Sequence, residues 1–494
     1  MDSLNELQAS TLFKEHAFIG GRWVDYADDD RITVDNPADG QPVARVPNLP
    51  ADYIAGGIDA ACQAFERWQR QPAVSRADRL LGWYERMLEQ REKLARLMTL
   101  EQGKPLAEAR AEVEYAASFL RWFAEEARRA RGTTIPSEEA EFVTGSVKEP
   151  VGVVALVTPW NFPLAMITRK AAAALAAGCT VLVRPAKETP LSALALAELG
   201  SQAGLDEGEF NVLTTQGERF VECMAADARV RALSFTGSTP VGRKLIEQSA
   251  GTIKNVSMEL GGNAPFIVCR DADLSQAVDS AIAAKFQTTG QDCIAANRFY
   301  VHQDLYESFI EQFSEKMNAL PVGNGLDEQT RIGPLIHEGA VEKAKRLVTD
   351  AWEKGADISG RDQIEAPGKR FFMPTLIAGM NEGMAVAQEE SFAPIAPVAP
   401  FSRDDEVLAA ANTTELGLAA YVCGRDEGRV RRYLRELEFG MVGVNTMDIT
   451  GPHVPFGGMK QAGLGREGAH CGMEEFLETK YFCLGPADNG RGPE

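Results

Sequence analysis

The chain has 494 residues, 45% hydrophobic and 25% charged, with 71 acidic against 51 basic side chains and a net charge of −20. This length and composition fit a globular protein of two or three cooperating domains and exclude collagen, coiled coil and intrinsic disorder. The acidic balance repels phosphate backbones and anionic bilayers, which speaks against nucleic-acid and membrane partners. The eight cysteines, at 62, 179, 223, 269, 293, 423, 471 and 483, form no CxxC pair and no Cys/His cluster of zinc spacing. Reduced thiols in a cytoplasmic protein without a metal site are therefore expected. Met1 to Glu6 lacks the basic flank and apolar run of a signal peptide, and no stretch approaches the ~20 apolar residues of a membrane span. A soluble enzyme is the starting expectation.

From Ala51 to Arg131 the apolar residues recur at three- and four-residue spacing, as in Leu80, Leu81, Trp83, Tyr84, Met87 and Leu88, which predicts helices. The polar stretch Thr133 to Lys148 contains β-forming Phe142-Val143-Thr144. Strands are expected at Val151 to Val157, Thr180 to Arg184, Phe210 to Leu213, Arg231 to Thr236 and Asn255 to Glu259, with helical stretches between them. Strands separated by helices imply a parallel, doubly wound sheet. After Gly261-Gly262 a second alternating series begins: a strand at Phe266-Ile267-Val268, a helix from about Leu274 to Thr288, a strand from Arg298 to His302 and a helix from about Leu305 to Leu320. Phe476 to Leu484 is a further strand candidate. It and the 133–148 strand lie outside both α/β units, where they can pair with each other or with another subunit. The Gly- and Pro-rich tail, 487–494 in particular, is expected to be unstructured.

Gly463-Leu464-Gly465-Arg466-Glu467-Gly468 satisfies GxGxxG but lacks the strand before it, the helix after it and the acidic ribose ligand that a dinucleotide fingerprint needs. It reads as a glycine-rich loop. A better phosphate cradle is Ser234 to Gly242, where a strand ends at a small-residue turn and a helix begins with Pro240 just inside it, leaving free N–H groups and the positive helix end at the turn. Cys293 follows a helix broken by Gly290; a lone cysteine is more often a small buried hydrophobe than a nucleophile. Its company argues otherwise. Glu259, 34 residues upstream, ends a strand beside two glycines, and Asn161 directly follows another strand. Both fall where open α/β sheets place ligands, so thiol, carboxylate and amide can converge.

With these motifs the chain resembles the aldehyde dehydrogenase superfamily over nearly its whole length: TPWNFP at 158–163, FTGST at 235–239, MELGG at 258–262, GQDC at 290–293, EESFAP at 389–394 and PFGGMKQAGLGREG at 455–468, in the family's order. The resemblance implies an α/β fold with a Rossmann-like cofactor domain (1–130 and 150–260), an α/β catalytic domain (261–462) and a small β oligomerisation element (131–149 and 470–486), assembled as a homodimer or homotetramer. It assigns Cys293 as nucleophile, Glu259 as general base and Asn161 as oxyanion donor in oxidation of an aldehyde substrate through a thiohemiacetal and a thioester. It assigns Glu390 to the nicotinamide ribose and Phe392 to the ring. The remaining cofactor contacts it implies are Thr158, Pro159, Trp160, Arg184, Ala186, Lys187, Gly217, Phe235, Gly237, Ser238, Val241 and Leu260.

Cofactor choice turns on Arg184-Pro185-Ala186-Lys187, where the family usually has Lys-Pro-Ala-Glu. The glutamate that would hold the ribose hydroxyls is missing, and two cations can instead meet a 2′-phosphate. The expectation leans to NADP, with NAD as the alternative. Met166 to Lys170 and GLGREG resemble the succinate-semialdehyde dehydrogenase branch, in which the arginine at the position of Arg169 binds the distal carboxylate. Phe162 and Phe456 are further implied substrate contacts. That branch's second arginine is Gln287 here, Thr450 stands at its hydroxyl contact, and its second cysteine is Ala295. A semialdehyde such as succinate semialdehyde is therefore the expected substrate. The alternatives are neutral aliphatic or aromatic aldehydes and, more remotely, a non-catalytic binding protein on the same fold; acyl transfer to coenzyme A is disfavoured by the presence of Glu259.

Overall fold

A computed structural model describes residues 6–26, 30–205, 207–359 and 366–486; the 487–494 tail expected to be unstructured lies outside them. The expected helical stretch divides into Ala51–Trp68, Ala73–Glu89, Arg91–Gln102 and Leu106–Glu126. Three of these begin directly after a proline, Pro50, Pro72 and Pro105, a residue that a preceding helix does not run through. Their apolar faces close over an eight-stranded sheet, with Trp83 fully buried and edge-on to Phe210 at 5.0 Å.

The centre of that sheet is parallel and runs Phe210–Val212, Thr180–Arg184, Val153–Val157, Val230–Thr236, Asn255–Glu259. Val153–Val157 is buried at every position, the pattern of a strand covered on both faces. The chain winds outward from this strand in one direction and then in the other, so the topological switch point lies between Val153–Val157 and Val230–Thr236. The antiparallel edges come from segments that carried no strand expectation, Ala17–Ile19 with Arg22–Val24 on one side and Gly463–Leu464 on the other. Gly463–Leu464 pairs with Met258 and Glu259, so the GxGxxG segment is a loop strapped to a strand end.

A second, seven-stranded sheet orders Asp357–Ser359, Thr375–Ala378, Ile395–Phe401, Ala296–His302, Ala264–Val268, Ala419–Cys423 and Met441–Val444, parallel except for the first. A third sheet joins Leu477–Leu484 to Val143–Pro150 along eight antiparallel pairs, with Thr133–Ile135 beyond. No helix of the described residues is long and apolar enough to cross a membrane.

The two large sheets are joined by 260–263, and there the backbone has no room. A Cβ on Gly262 would lie 2.1 Å from the carbonyl oxygen of Cys293. The helix expected to run to Thr288 ends at Phe286, and Gln287–Gly290 forms a short 3-10 turn instead. Thr288, Thr289 and Gly290 turn left-handed there, with φ of 49°, 59° and 73°, a conformation that β-branched residues avoid and that ends the helix. Gly262→Ala should displace the Cys293 segment and destabilise the fold by about 1–3 kcal/mol. Chemical denaturation, together with the rate at which a thiol reagent labels Cys293, checks this; unchanged values for both would mean the contact is freely relieved.

Candidate active site

The C-terminal ends of the first sheet's strands and the facing edge of the second enclose a cavity of about 490 Å³. From the first sheet come Pro159, Trp160, Asn161 and Phe162, then Arg169, then Gly237 and Ser238, then Leu260. The second half supplies Gln287, Cys293, Glu390, Phe392, Thr450 and Phe456. Thr158, Phe235 and Glu259 are buried but do not line the cavity; Arg184, Ala186, Lys187, Gly217 and Val241 lie away from its wall.

Cys293 is half-buried and follows the left-handed turn. Positive φ at two threonines costs about 1–3 kcal/mol each and persists only where the surroundings dictate it. Here they do. Glu108 Oε2 accepts from Thr288 N at 2.8 Å, Thr289 Oγ1 accepts from Gly333 N at 2.9 Å, and Gln291 Oε1 accepts from Ile336 N at 3.0 Å. The side-chain amide of Asn161 donates to Gln291 O at 3.0 Å, linking the two segments that carry amide and thiol. Burial pushes the Cys293 thiol well above its ordinary range, and the Asp292, Glu390 and Glu259 carboxylates push it further, with Arg169 opposing.

Glu259 ends its strand with its carbonyl accepting from Gly237 N at 3.0 Å. Both of its carboxylate oxygens are buried without a hydrogen-bond partner among the described residues. Burial and the neighbouring Glu467 raise it well above the usual carboxylate range, while Lys170, Arg169 and Arg466 pull it back. Glu467 is ion-paired to Lys170, which also donates to Ser234 Oγ at 3.0 Å. Arg169 is buried, hydrogen-bonds the Tyr115 hydroxyl, and has its guanidinium 4.2 Å from the Phe456 ring centre and 4.9 Å from that of Phe119. Its Nη1 lies 3.5 Å from Glu467, yet Nε and Nη1 have no hydrogen-bond partner among the described residues. A cation with idle donors in a cavity wall is suited to receive an anion.

The other end of the site is built to accept a dinucleotide. At Gly237 a Cβ would meet the Phe235 ring at 2.4 Å, so the chain turns tightly into the helix Thr239–Ser249 with Pro240 in its first turn, and Val241 is exposed there. Thr158 Oγ1 and Thr236 Oγ1, at the two strand ends flanking the switch point, are buried without partners among the described residues. Arg184 is held by its Nε donating to Thr215 O at 3.1 Å and lies against Gly217. Lys187 is 67% exposed, 3.9 Å from Glu188. Glu390 accepts from Gly262 N at 3.1 Å and is pushed up to about 7, chiefly by burial. Phe392, at φ 51°, stands edge-on to Trp160 at 5.5 Å. The unpartnered Thr236 hydroxyl in the cavity wall and the tight turn at Gly237 fit a nicotinamide dinucleotide.

Lys170, Glu467, Tyr115, Glu108 and the Lys104–Glu112 pair were not anticipated from the sequence. For Lys170 a signal existed: two adjacent cations in an otherwise apolar helix demand a buried acid. Nothing local marks Glu467 as that acid.

The Aldehyde dehydrogenase family model matches residues 23–482. A non-phosphorylating aspartate-semialdehyde dehydrogenase of Halomonas elongata is 55% identical over 97% of this chain and 98% of its own. The NADP(+) succinate-semialdehyde dehydrogenase of Escherichia coli is 49% identical over 97% of this chain and 100% of its own. A solved structure described as an E. coli NADP-dependent enzyme superimposes with a TM-score of 0.95 at 49% identity, covering 96% of this chain and 98% of its own. The chain therefore belongs to the aldehyde dehydrogenase family and is an NAD(P)-dependent oxidoreductase acting on the aldehyde group.

Proposed function

We propose that the chain oxidises a short semialdehyde bearing a distal carboxylate to the corresponding acid, with Arg169 holding the carboxylate and Cys293 attacking the aldehyde. The observation that carries this reading is the buried guanidinium in the cavity wall with two idle nitrogens. Two relatives named for semialdehydes of different tails support the class. Gln287 and Thr450, both in the cavity wall, offer neutral hydrogen bonds where a second cation is absent.

In this reading the Cys293 thiolate adds to the carbonyl carbon, and the Asn161 amide and the Cys293 N–H hold the oxyanion that forms. Bound NAD(P) supplies the hydride acceptor, which leaves a thioester on Cys293. Glu259 takes a proton from the water that attacks this thioester, releasing the acid and the free thiol.

Arg169→Met should lower kcat/KM for succinate semialdehyde by about 10- to 150-fold more than for hexanal, the worth of a charged hydrogen bond of ~1.5–3 kcal/mol, any loss common to both substrates reflecting the pull of Arg169 on Cys293 and Glu259. Reduced-nicotinamide absorbance reads both. Equal losses on the two substrates, or a wild-type preference for hexanal, would overturn the carboxylate reading; Gln287 favours that second reading of a neutral-aldehyde enzyme.

The nucleophile and the base are both shifted upward, so both are protonated, and inactive, at low pH. The rate should therefore still be climbing throughout the interval between the ordinary carboxylate and thiol ranges, about pH 5 to 9, rather than level off within it. A profile flat over that interval in steady-state assays would contradict both assignments.

For the cofactor we infer a preference for NADP, with Arg184 and the exposed Lys187 flanking the 2′-phosphate position; the E. coli relative named for NADP(+) supports it. Lys187→Glu should shift the ratio of kcat/KM values toward NAD by about tenfold or more. An unchanged ratio removes the argument.

A further inference from the structure

We propose that Lys104 and Glu112, a buried ion pair whose carboxylate residue also lines the cavity, are the positioning residues that hold Asn161 at the angle its oxyanion contact needs. The inference rests on the reading of Asn161 as the oxyanion donor. Both side chains are 1% accessible. Lys104 Nζ donates to the backbone carbonyl of Asn161 at 2.7 Å and sits 4.1 Å from the ring centre of Phe162. Glu112 completes the clamp from the other side: one oxygen pairs with Lys104, and the other accepts from Leu164 N at 3.0 Å and Ala165 N at 3.3 Å. The segment 161–165 is thus gripped at its carbonyl, its first aromatic ring and the opening N–H groups of the following helix.

The clamp also registers amide against thiol. Glu108, one turn before Glu112 on the helix Leu106–Glu126, accepts from Thr288 N in the turn that precedes Cys293. Residues four apart share a helix face, so one face of one helix fixes both catalytic segments. Lys104 is itself immobilised. Its N–H donates to Gln102 Oε1 at 2.8 Å, and a Cβ on Gly333 would lie 2.3 Å from the Gly103 carbonyl oxygen. Gly333 N in turn donates to Thr289 Oγ1.

A misplacement near 1 Å costs on the order of 10²-fold in rate, and a buried ion pair is poorly explained by stability alone, since apolar replacements often serve as well. Lys104→Met should therefore lower kcat about 10- to 100-fold, with aldehyde KM and nucleotide affinity changed less than about threefold. Combined with Asn161→Ala, which alone should cost about 10²- to 10³-fold, it should add little, because both act on one contact. Should Lys104→Met leave Glu112 uncompensated and unfold the chain, Lys104→Met with Glu112→Gln removes both charges while the amide oxygen still accepts from Leu164 and Ala165. Losses that multiply with Asn161→Ala, a folded variant of full kcat, or failure of both variants to fold would each overturn the positioning role. Full turnover by Asn161→Ala would instead overturn the reading of Asn161, and this inference with it.

Discussion

Two adjacent cations inside a buried helix must be neutralised, and much of the site follows from how that is done. Arg169 and Lys170 lie in Ala165–Ala177, a helix buried at every position, whose alanines allow it to sit tightly against Leu106–Glu126. Leaving either charge unanswered in such surroundings would cost about 3–5 kcal/mol. Glu467, brought from almost 300 residues away and fixed by a backbone bridge to Phe456, ion-pairs Lys170, while Arg169, 3.5 Å from the same carboxylate, is met by the Tyr115 hydroxyl and the rings of Phe456 and Phe119. That carboxylate lies near Glu259, so the group that makes the helix foldable also adds to the upward shift that burial gives the proposed base.

A second constraint is convergence. The switch point of the first sheet opens between the ends of two strands, which deliver Thr158 to Phe162 on one side and Thr236 to Ser238 on the other. The second sheet presents the Cys293 segment across from them, and Gly262 lets the two backbones approach more closely than any side chain would permit. Amide, thiol and carboxylate arrive from three separate strand or turn ends, each anchored by its own hydrogen bonds.

The parallel strands of the first sheet and the first two of the second were legible because a doubly covered strand leaves an apolar run, as in Val153–Val157 and Ala264–Val268, whereas Thr375–Ala378, Ile395–Phe401, Ala419–Cys423 and Met441–Val444 carried no strand expectation. Short, half-exposed hairpins such as Arg31–Asp35 with Pro42–Pro47 leave no such trace. The end of the helix before Cys293 was misplaced because Thr288 and Thr289 adopt a conformation their side chains disfavour, one imposed by Glu108 and Gly333 from distant segments. The motif residues around the cavity were visible as residue types in strand-terminal positions. The Lys104–Glu112 clamp was not, since an ordinary i, i+8 spacing says nothing of a pair sealed from water.

The left-handed turn at 288–290 divides the labour of the site. Its shape is dictated by Glu108, Gly333 and Gln291, whereas Gln287, which opens the same turn, and Thr450 line the cavity and take no part in those bonds. On the proposed reading, substitutions at these two wall positions would exchange one substrate tail for another while the hydrogen bonds of the turn stay in place. A scaffold arranged this way can diversify in what it accepts without relearning how it reacts, and relatives named for different semialdehydes at about half identity are what such modularity would produce.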